Sequence, residues 1–258
     1  MEIPYSIIKA SKISDKWLVC IHGFGGSRNM FKKQVEKFKE KFNMLLLDLP
    51  GHGESKHGLS EGIGYKLSDV AKGVIDTIHS LGINKADFLG ISLGTLIIAN
   101  IAIIDSSIID KAILGGAVFG TPKLLEVAAN VVNLIRGILP YSFVVGAFAY
   151  LMMPKKNHKI SRVFMIRESR KLGKKEFMAW FNETVHNLSF IKNNIDKINK
   201  VHNILIMGNE DYVFMPNVKR IAAKYKMRLA QINKCGHVCN IDKWDEFNSI
   251  AMRYLAEA

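Results

Sequence analysis

Three cysteines, Cys20, Cys235 and Cys239, are all that 258 residues carry. So few, and an odd number, cannot build a disulfide framework. Reduced thiols in a cytoplasmic setting are the expectation. No secretory signal is expected either, because MEIPYSIIKASKISDK shows no basic segment followed by a long apolar one. Long hydrophobic runs are scarce: the longest uninterrupted apolar piece, Tyr141 to Met153, is too short to span a bilayer. Acids are outnumbered, 23 against 36 basic residues, for a formal net charge of +13. That excess reads either as affinity for an acidic partner or as the imprint of a proteome rich in Lys, Ile and Asn. Both readings stand. The deficit is greatest in Lys155–Lys175, where nine cations face the single acid Glu168.

What is present is ample apolar material. A hydrophobic content of 48% over this length supports a sizeable core, in one α/β domain with an insertion. The most informative stretch is ADFLGISLGTLIIA, 86–99. An apolar run reading as a buried strand ends at Phe88-Leu89, and an apolar segment long enough for a helix runs from Thr95 to Ile104. Between them lies Gly90-Ile91-Ser92-Leu93-Gly94. A Gly-x-Ser-x-Gly between strand and helix is the pattern of a tight turn that presents its serine at a sheet edge. The first amides of the helix lie beside that hydroxyl and favour negative charge. A serine that merely caps the helix is the plainer reading.

Taken in order, the chain alternates. An edge strand is expected around Ser6–Ala10, and strands at WLVCI (17–21), NMLLLD (43–48) and KAILGG (111–116). Helices are expected at Phe31–Lys41 and at Tyr65–Leu81. The glycine-dense loop His22–Ser27 can turn its amides toward a ligand, and the N–H of Phe24 is assigned there as a partner of the Leu93 N–H. In the turn Leu49–Ser55, Asp48 and His52 invite pairing, but Asp48 and Ser55 are expected to hold the loop through side-chain-to-backbone hydrogen bonds. His79 is read as a surface histidine.

From about Gly120 to Ile195 there is no strand signal. The expectation is an all-helical insertion whose apolar residues roof the serine and whose basic side faces solvent. Met152, Met153 and Met165 serve either an adaptable pocket or core filling, and Trp180 is expected to pack. Alternation resumes with a strand at His202–Met207, a helix at Pro216–Lys226, a strand at Arg228–Ile232 and a closing helix at Trp244–Ala256. The domains are therefore a core of 1–119 and 196–258 around a lid of 120–195.

Asp211 and His237 each follow a strand on the edge that carries Ser92, where open parallel sheets place their chemistry. Serine is a poor nucleophile until a base takes its proton. Histidine suits that task near neutral pH, and Asp211 would fix its tautomer. Glu210 is the fallback acid. Cys235, His237 and Cys239 lack the spacing and the fourth ligand of a zinc site, so no metal and no cofactor are expected.

HGFGGS (22–27), DLPGHGES (48–55), GISLG (90–94), GNED (208–211) and CGH (235–237) together resemble, in order, the motifs of the α/β-hydrolase family. The resemblance covers nearly the whole chain. It implies a mostly parallel sheet with helices on both faces, a helical lid, Ser92, Asp211 and His237 as a catalytic triad, and Phe24 and Leu93 as oxyanion donors. Ile91 and Thr95 depart from the family's frequent residues and leave the substrate open. The leading expectation is a serine hydrolase, a carboxylesterase for a hydrophobic acyl or aromatic ester. Alternatives are hydrolysis of carbon–carbon bonds in diketone-like metabolites, or a ligand sensor that keeps the triad. An acidic acyl carrier or an anionic surface is the partner that Lys155–Lys175 would suit; nucleic acid is not expected.

Overall fold

The apolar runs form strands, and their lack of polar alternation is explained by burial on both faces. In the computed structural model, which describes residues 3–55, 65–120, 122, 127 and 139–257, seven strands form one sheet. They are β1 (Tyr5–Ile8), β2 (Trp17–Ile21), β3 (Asn43–Leu47), β4 (Ala86–Ile91), β5 (Ile109–Gly115), β6 (His202–Gly208) and β7 (Arg228–Ile232). Their spatial order is β1-β3-β2-β4-β5-β6-β7. Only β1 is antiparallel, on the edge beside β3; every other pairing is parallel.

The order reverses between β2 and β4, where the chain first adds strands to one side and then to the other. Such a switch point opens a crevice at the carboxyl ends of the strands. The register aligns those ends: Ile21 opposes Gly90, Ile91 opposes Gly115, Gly115 opposes Ile206 and Gly208 opposes Ile232. The loops after β2, β4, β6 and β7 therefore meet along one edge.

Helices cover both faces. On one, α1 (Lys32–Phe38) packs with the final helix, introduced below; on the other, α2 (Leu67–Ser80) packs with α3 (Leu93–Ile104). The α2 stripe of Leu67, Val70, Val74, Ile75 and Ile78 is buried, as helical spacing predicts. Helix α3 is apolar on nearly all sides because it is enclosed on nearly all sides. Between β5 and β6 the described chain carries four α-helices and no strand: α4 (Tyr141–Met152), α5 (Lys159–Leu172), α6 (Lys174–Asn193) and α7 (Ile195–Asn199). Expectations on 121, 123–126 and 128–138 lie outside the described residues. The core closes with α8 (Met215–Tyr225), α9 (Cys239–Asp242) and α10 (Trp244–Ala256). No helix among the described residues is long and apolar enough to cross a membrane.

Candidate functional site

The turn from β4 into α3 sets the geometry of everything else. Ser92 has φ 52° and ψ −114°, a region that side chains rarely occupy. The surroundings hold it there. Its N–H donates to the Gly115 carbonyl at 2.9 Å, and its carbonyl accepts from the Thr95 hydroxyl at 2.7 Å. Glycine is required at 94, since a Cβ there would lie 2.1 Å from the Ile21 carbonyl oxygen. Thr95 also accepts from the Val118 N–H at 3.2 Å, tying the turn to the loop beyond β5.

Asp211 and His237 arrive from the loops after β6 and β7. The Ser92 hydroxyl donates to His237 Nε2 at 2.8 Å, and His237 Nδ1–H donates to Asp211 Oδ2 at 2.7 Å. Asp211 is fully buried, and its second oxygen accepts the Phe214 N–H at 2.9 Å. The three sequence-predicted residues are thus one hydrogen-bonded chain. Glu210 is not part of it. Its carboxylate turns to the helical insertion and contacts Lys155 at 2.7 Å, Asn157 at 2.8 Å and His158 at 2.9 Å. The Asn157 amide and the Lys155 ammonium hold it at a pKa of about 2.

Phe24 and Leu93 line the cavity beside Ser92. Among the described residues neither amide N–H has a protein acceptor, whereas the Gly25 and Gly26 amides are both taken. Two buried histidines shape this loop. His52 Nε2 accepts from the Gly25 N–H at 3.1 Å while its Nδ1–H donates to the Pro50 carbonyl. His22 Nε2 accepts from the Leu49 N–H at 3.0 Å while its Nδ1–H donates to the Gly23 carbonyl. Burial pushes both below the usual histidine range. Asp48 accepts the Arg28 and Glu54 N–H groups at 2.8 and 3.0 Å and does not pair with His52. Ser55 departs from expectation. Its buried hydroxyl has no partner among the described residues, and the turn closes instead through its N–H on the His52 carbonyl.

The cavity above Ser92 is roofed by Phe148 and Met152 of α4, Phe164 and Met165 of α5, and Phe181 and Val185 of α6. No Lys, Arg, Asp or Glu lines it among the described residues. Its two other hydroxyls are internally satisfied: Ser161 donates to Asp242 at 2.6 Å and Thr184 to the Trp180 carbonyl at 2.7 Å. Met153 is core rather than lining. Trp180 packs, stacked on Tyr65 and donating to the Pro50 carbonyl.

The basic segment is less uniformly solvated than its charge suggests. Arg162 is buried, donates to the Met153 and Lys155 carbonyls, and lies over the Tyr150 ring at 4.2 Å. Arg167 and Lys171 pair with the buried carboxylate of Glu168. Burial alone would raise Glu168, but Lys171 and Arg167 leave it below the usual range. Lys156, Lys159, Arg170, Lys174 and Lys175 remain exposed. The cysteines are buried thiols whose titration is pushed up by that burial, Cys239 to about 12.

Sequence reasoning did not assign roles to His22, His52 or His158, and it treated Thr95 only as a departure. His22 and His52 lie within the HGFGGS and DLPGHGES motifs, which signal them; nothing in the sequence signals His158.

Comparison with known proteins identifies the fold. A family model described as alpha/beta hydrolase fold matches residues 16–243. The (E)-2-((N-methylformamido)methylene)succinate hydrolase of Acinetobacter baylyi is 31% identical over 86 residues, 33% of this chain and 32% of that protein. The chain thus spans about a third of the length of such curated relatives. Among solved structures, a carboxylesterase from the thaumarchaeon Nitrososphaera gargenis superposes with a TM-score of 0.79 at 19% identity, covering 98% of this chain and 94% of that one. A meta-cleavage product hydrolase from Pseudomonas fluorescens gives 0.76 at 17%, covering 98% and 93%. At these identities the structural likeness is one of fold.

Proposed function

Because the chain belongs to the alpha/beta hydrolase fold family, we propose that it is a serine hydrolase cleaving a neutral carboxylic ester with an apolar acyl or aromatic group. The observation that carries this reading is the chain Ser92–His237–Asp211, at 2.8 and 2.7 Å, opening into a cavity lined by apolar side chains. Ser92 Oγ attacks the ester carbonyl while His237 Nε2 takes its proton. Asp211 stabilises the resulting imidazolium. The Phe24 and Leu93 amides, which have no protein acceptor among the described residues, donate to the oxyanion. His237 then protonates the leaving alcohol, and water releases the acyl group by the same route. The helical insertion serves as the lid that excludes water.

The absence of a lining cation among the described residues favours a neutral substrate. The Acinetobacter relative is named for a succinate. An acid of that kind, or an anionic diketone, would enter this cavity without a counter-charge, and a buried unpaired carboxylate is costly. Ester hydrolysis is therefore preferred here over carbon–carbon cleavage of acids. The test is nitrophenyl ester turnover with and without Ser92→Ala, together with labelling by a fluorophosphonate. Ser92→Ala should lose roughly 10⁶-fold in kcat and all labelling. Retention of activity within about tenfold overturns Ser92 as the nucleophile. A one-equivalent burst with no steady turnover points instead to a ligand sensor.

A further inference from the structure

Each of the two residues that serve Ser92 has a neighbour held by the helical insertion. Glu210 precedes Asp211, and Gly236 precedes His237. His158, fully buried just before α5, meets both. Its Nε2–H donates to Glu210 Oε2 at 2.9 Å. Its ring lies so close to Gly236 that a Cβ there would come within 2.8 Å of Nδ1, so glycine is what lets the imidazole seat. Nδ1 is buried and has no hydrogen-bond partner among the described residues, so the ring is held on one side by Glu210 alone.

Neighbouring contacts complete a clamp. The Asn157 amide reaches both Glu210 Oε2 and the Lys234 carbonyl, at 2.8 and 2.9 Å, so one side chain bridges the acid loop and the histidine loop. The Glu210 N–H donates to the Cys235 carbonyl at 2.8 Å. Lys155 holds the other Glu210 oxygen at 2.7 Å. One turn further on, the Ser161 N–H and hydroxyl bond Asp242, just beyond His237. At its far end α5 reaches the oxyanion loop, where Ser27 donates to Glu168 at 3.2 Å and Ser169 to the Gly25 carbonyl at 3.4 Å.

We infer that His158 and Glu210 are a positioning pair, locking the Asp211 and His237 loops together so that the His237 ring stays in line between Asp211 and Ser92. This inference rests on the catalytic reading above. The insertion is then part of the proton-transfer machinery as well as a cover. The physical ground is the steep distance dependence of that transfer: a displacement near 1 Å, caused by a change remote from the chemistry, can cost about 10²-fold. The two loops meet through the Asp211–His237 and Asn209–Asn233 pairs and a Glu210 N–H to Cys235 carbonyl bond, and a buried third element adds rigidity to that joint.

The experiment compares His158→Ala, His158→Gln, Glu210→Ala and Glu210→Gln in the full chain, using p-nitrophenyl butyrate kinetics normalised to fluorophosphonate-titrated sites, with thermal melts. His158→Ala and Glu210→Ala should lower kcat by about 10- to 100-fold with KM within about threefold, and slow phosphonylation in parallel. Glu210→Gln keeps an acceptor for His158 and Asn157 and should recover most of the loss. His158→Gln, which keeps a donor, should recover part of it and stands in if His158→Ala fails to fold. Wild-type kcat per titrated site in both alanine variants, with only a lowered melting temperature, overturns the pair as a positioning device. So does a Glu210→Gln variant as slow as Glu210→Ala. Failure of the catalytic reading is separately visible as activity surviving in Ser92→Ala.

Discussion

Glu210 and Asp211 are adjacent in the chain, yet their carboxylates serve different structures: Asp211 meets His237 at 2.7 Å, and Glu210 meets His158 at 2.9 Å. The division follows from the turn after β6. Asp211 is drawn inward by the Phe214 N–H, while Glu210 turns outward to Lys155 and Asn157. Exchanging the two acids one at a time separates their roles. Asp211→Asn should reduce kcat by roughly 10⁴-fold, because the amide favours the wrong imidazole tautomer. Glu210→Gln should stay within about fivefold of wild type, since one amide oxygen still accepts from His158 and Asn157 and only the exposed Lys155 bond is lost. A reversal of that ranking in steady-state kinetics would move the acid to Glu210.

Backbone strain at Ser92 makes an unusual stability prediction. Its φ of 52° costs a residue bearing a Cβ on the order of 1–3 kcal/mol. Glycine escapes that cost but adds about 0.5–1 kcal/mol of chain entropy. Ser92→Gly should therefore melt no lower than Ser92→Ala, and up to a few degrees higher, although both are inactive. Differential scanning calorimetry decides it. A lower melting temperature for the glycine variant would mean that the turn carries no such strain.

The sheet was largely legible because burial on both faces writes itself as uninterrupted apolar runs. Strands β2 and β7 occupy the expected residues, and β1 begins one residue and ends two residues earlier than expected. Helix ends were less legible. Helix α1 stops at Phe38 because the chain turns at Lys39–Lys41 toward β3, and a 3₁₀ turn at Arg28–Phe31 precedes it. Ser92, Asp211 and His237 could be read because each sits in a local motif at a strand end. The bonds between distant loops could not. Nothing near Lys155 signals that His158 will seat on Gly236, and nothing in a run of cations signals that Arg162 folds inward onto carbonyls. Charge density reports composition, whereas burial depends on which helix covers which loop.

Acid should destabilise the fold through His22 and His52. Burial lowers both below their value in the unfolded chain, near 6.5. Below pH ~6.5 the unfolded state takes up protons that the folded state refuses, so ΔG of unfolding falls as pH falls. Their contribution is complete above about 6.5. Below it, each neutral buried histidine costs up to ~1.4 kcal/mol per pH unit, until its own lowered pKa is reached. Melting temperature should drop between pH 7 and pH 5, and less steeply in His52→Gln. An unchanged slope in that variant would show that His52 titrates normally in the fold.

Substrate charge gives the most direct test of what the cavity is for. Among the described residues its lining contains no cation, and the Ser161 and Thr184 hydroxyls are spent on Asp242 and Trp180. A substrate carboxylate seated deep in the acyl pocket would therefore be both desolvated and unpaired. Matched substrates isolate this effect: nitrophenyl octanoate, and the mono-nitrophenyl ester of an eight-carbon diacid. The two differ only in the far end of the acyl chain. The neutral ester should be favoured by about 10²-fold or more in kcat/KM, since a site with unpaired polar burial discriminates more strongly than one lacking a methylene contact. The difference should fall mainly in KM, because the distal carboxylate is remote from the reacting carbonyl and is penalised equally in ground and transition states. Installing a cation at the roof, as Val185→Lys, should narrow the gap from the acid's side while weakening the neutral ester. Equal rates for the two esters in the wild-type protein would place the distal end of the chain in solvent, outside the roof formed by Phe148, Phe164 and Phe181.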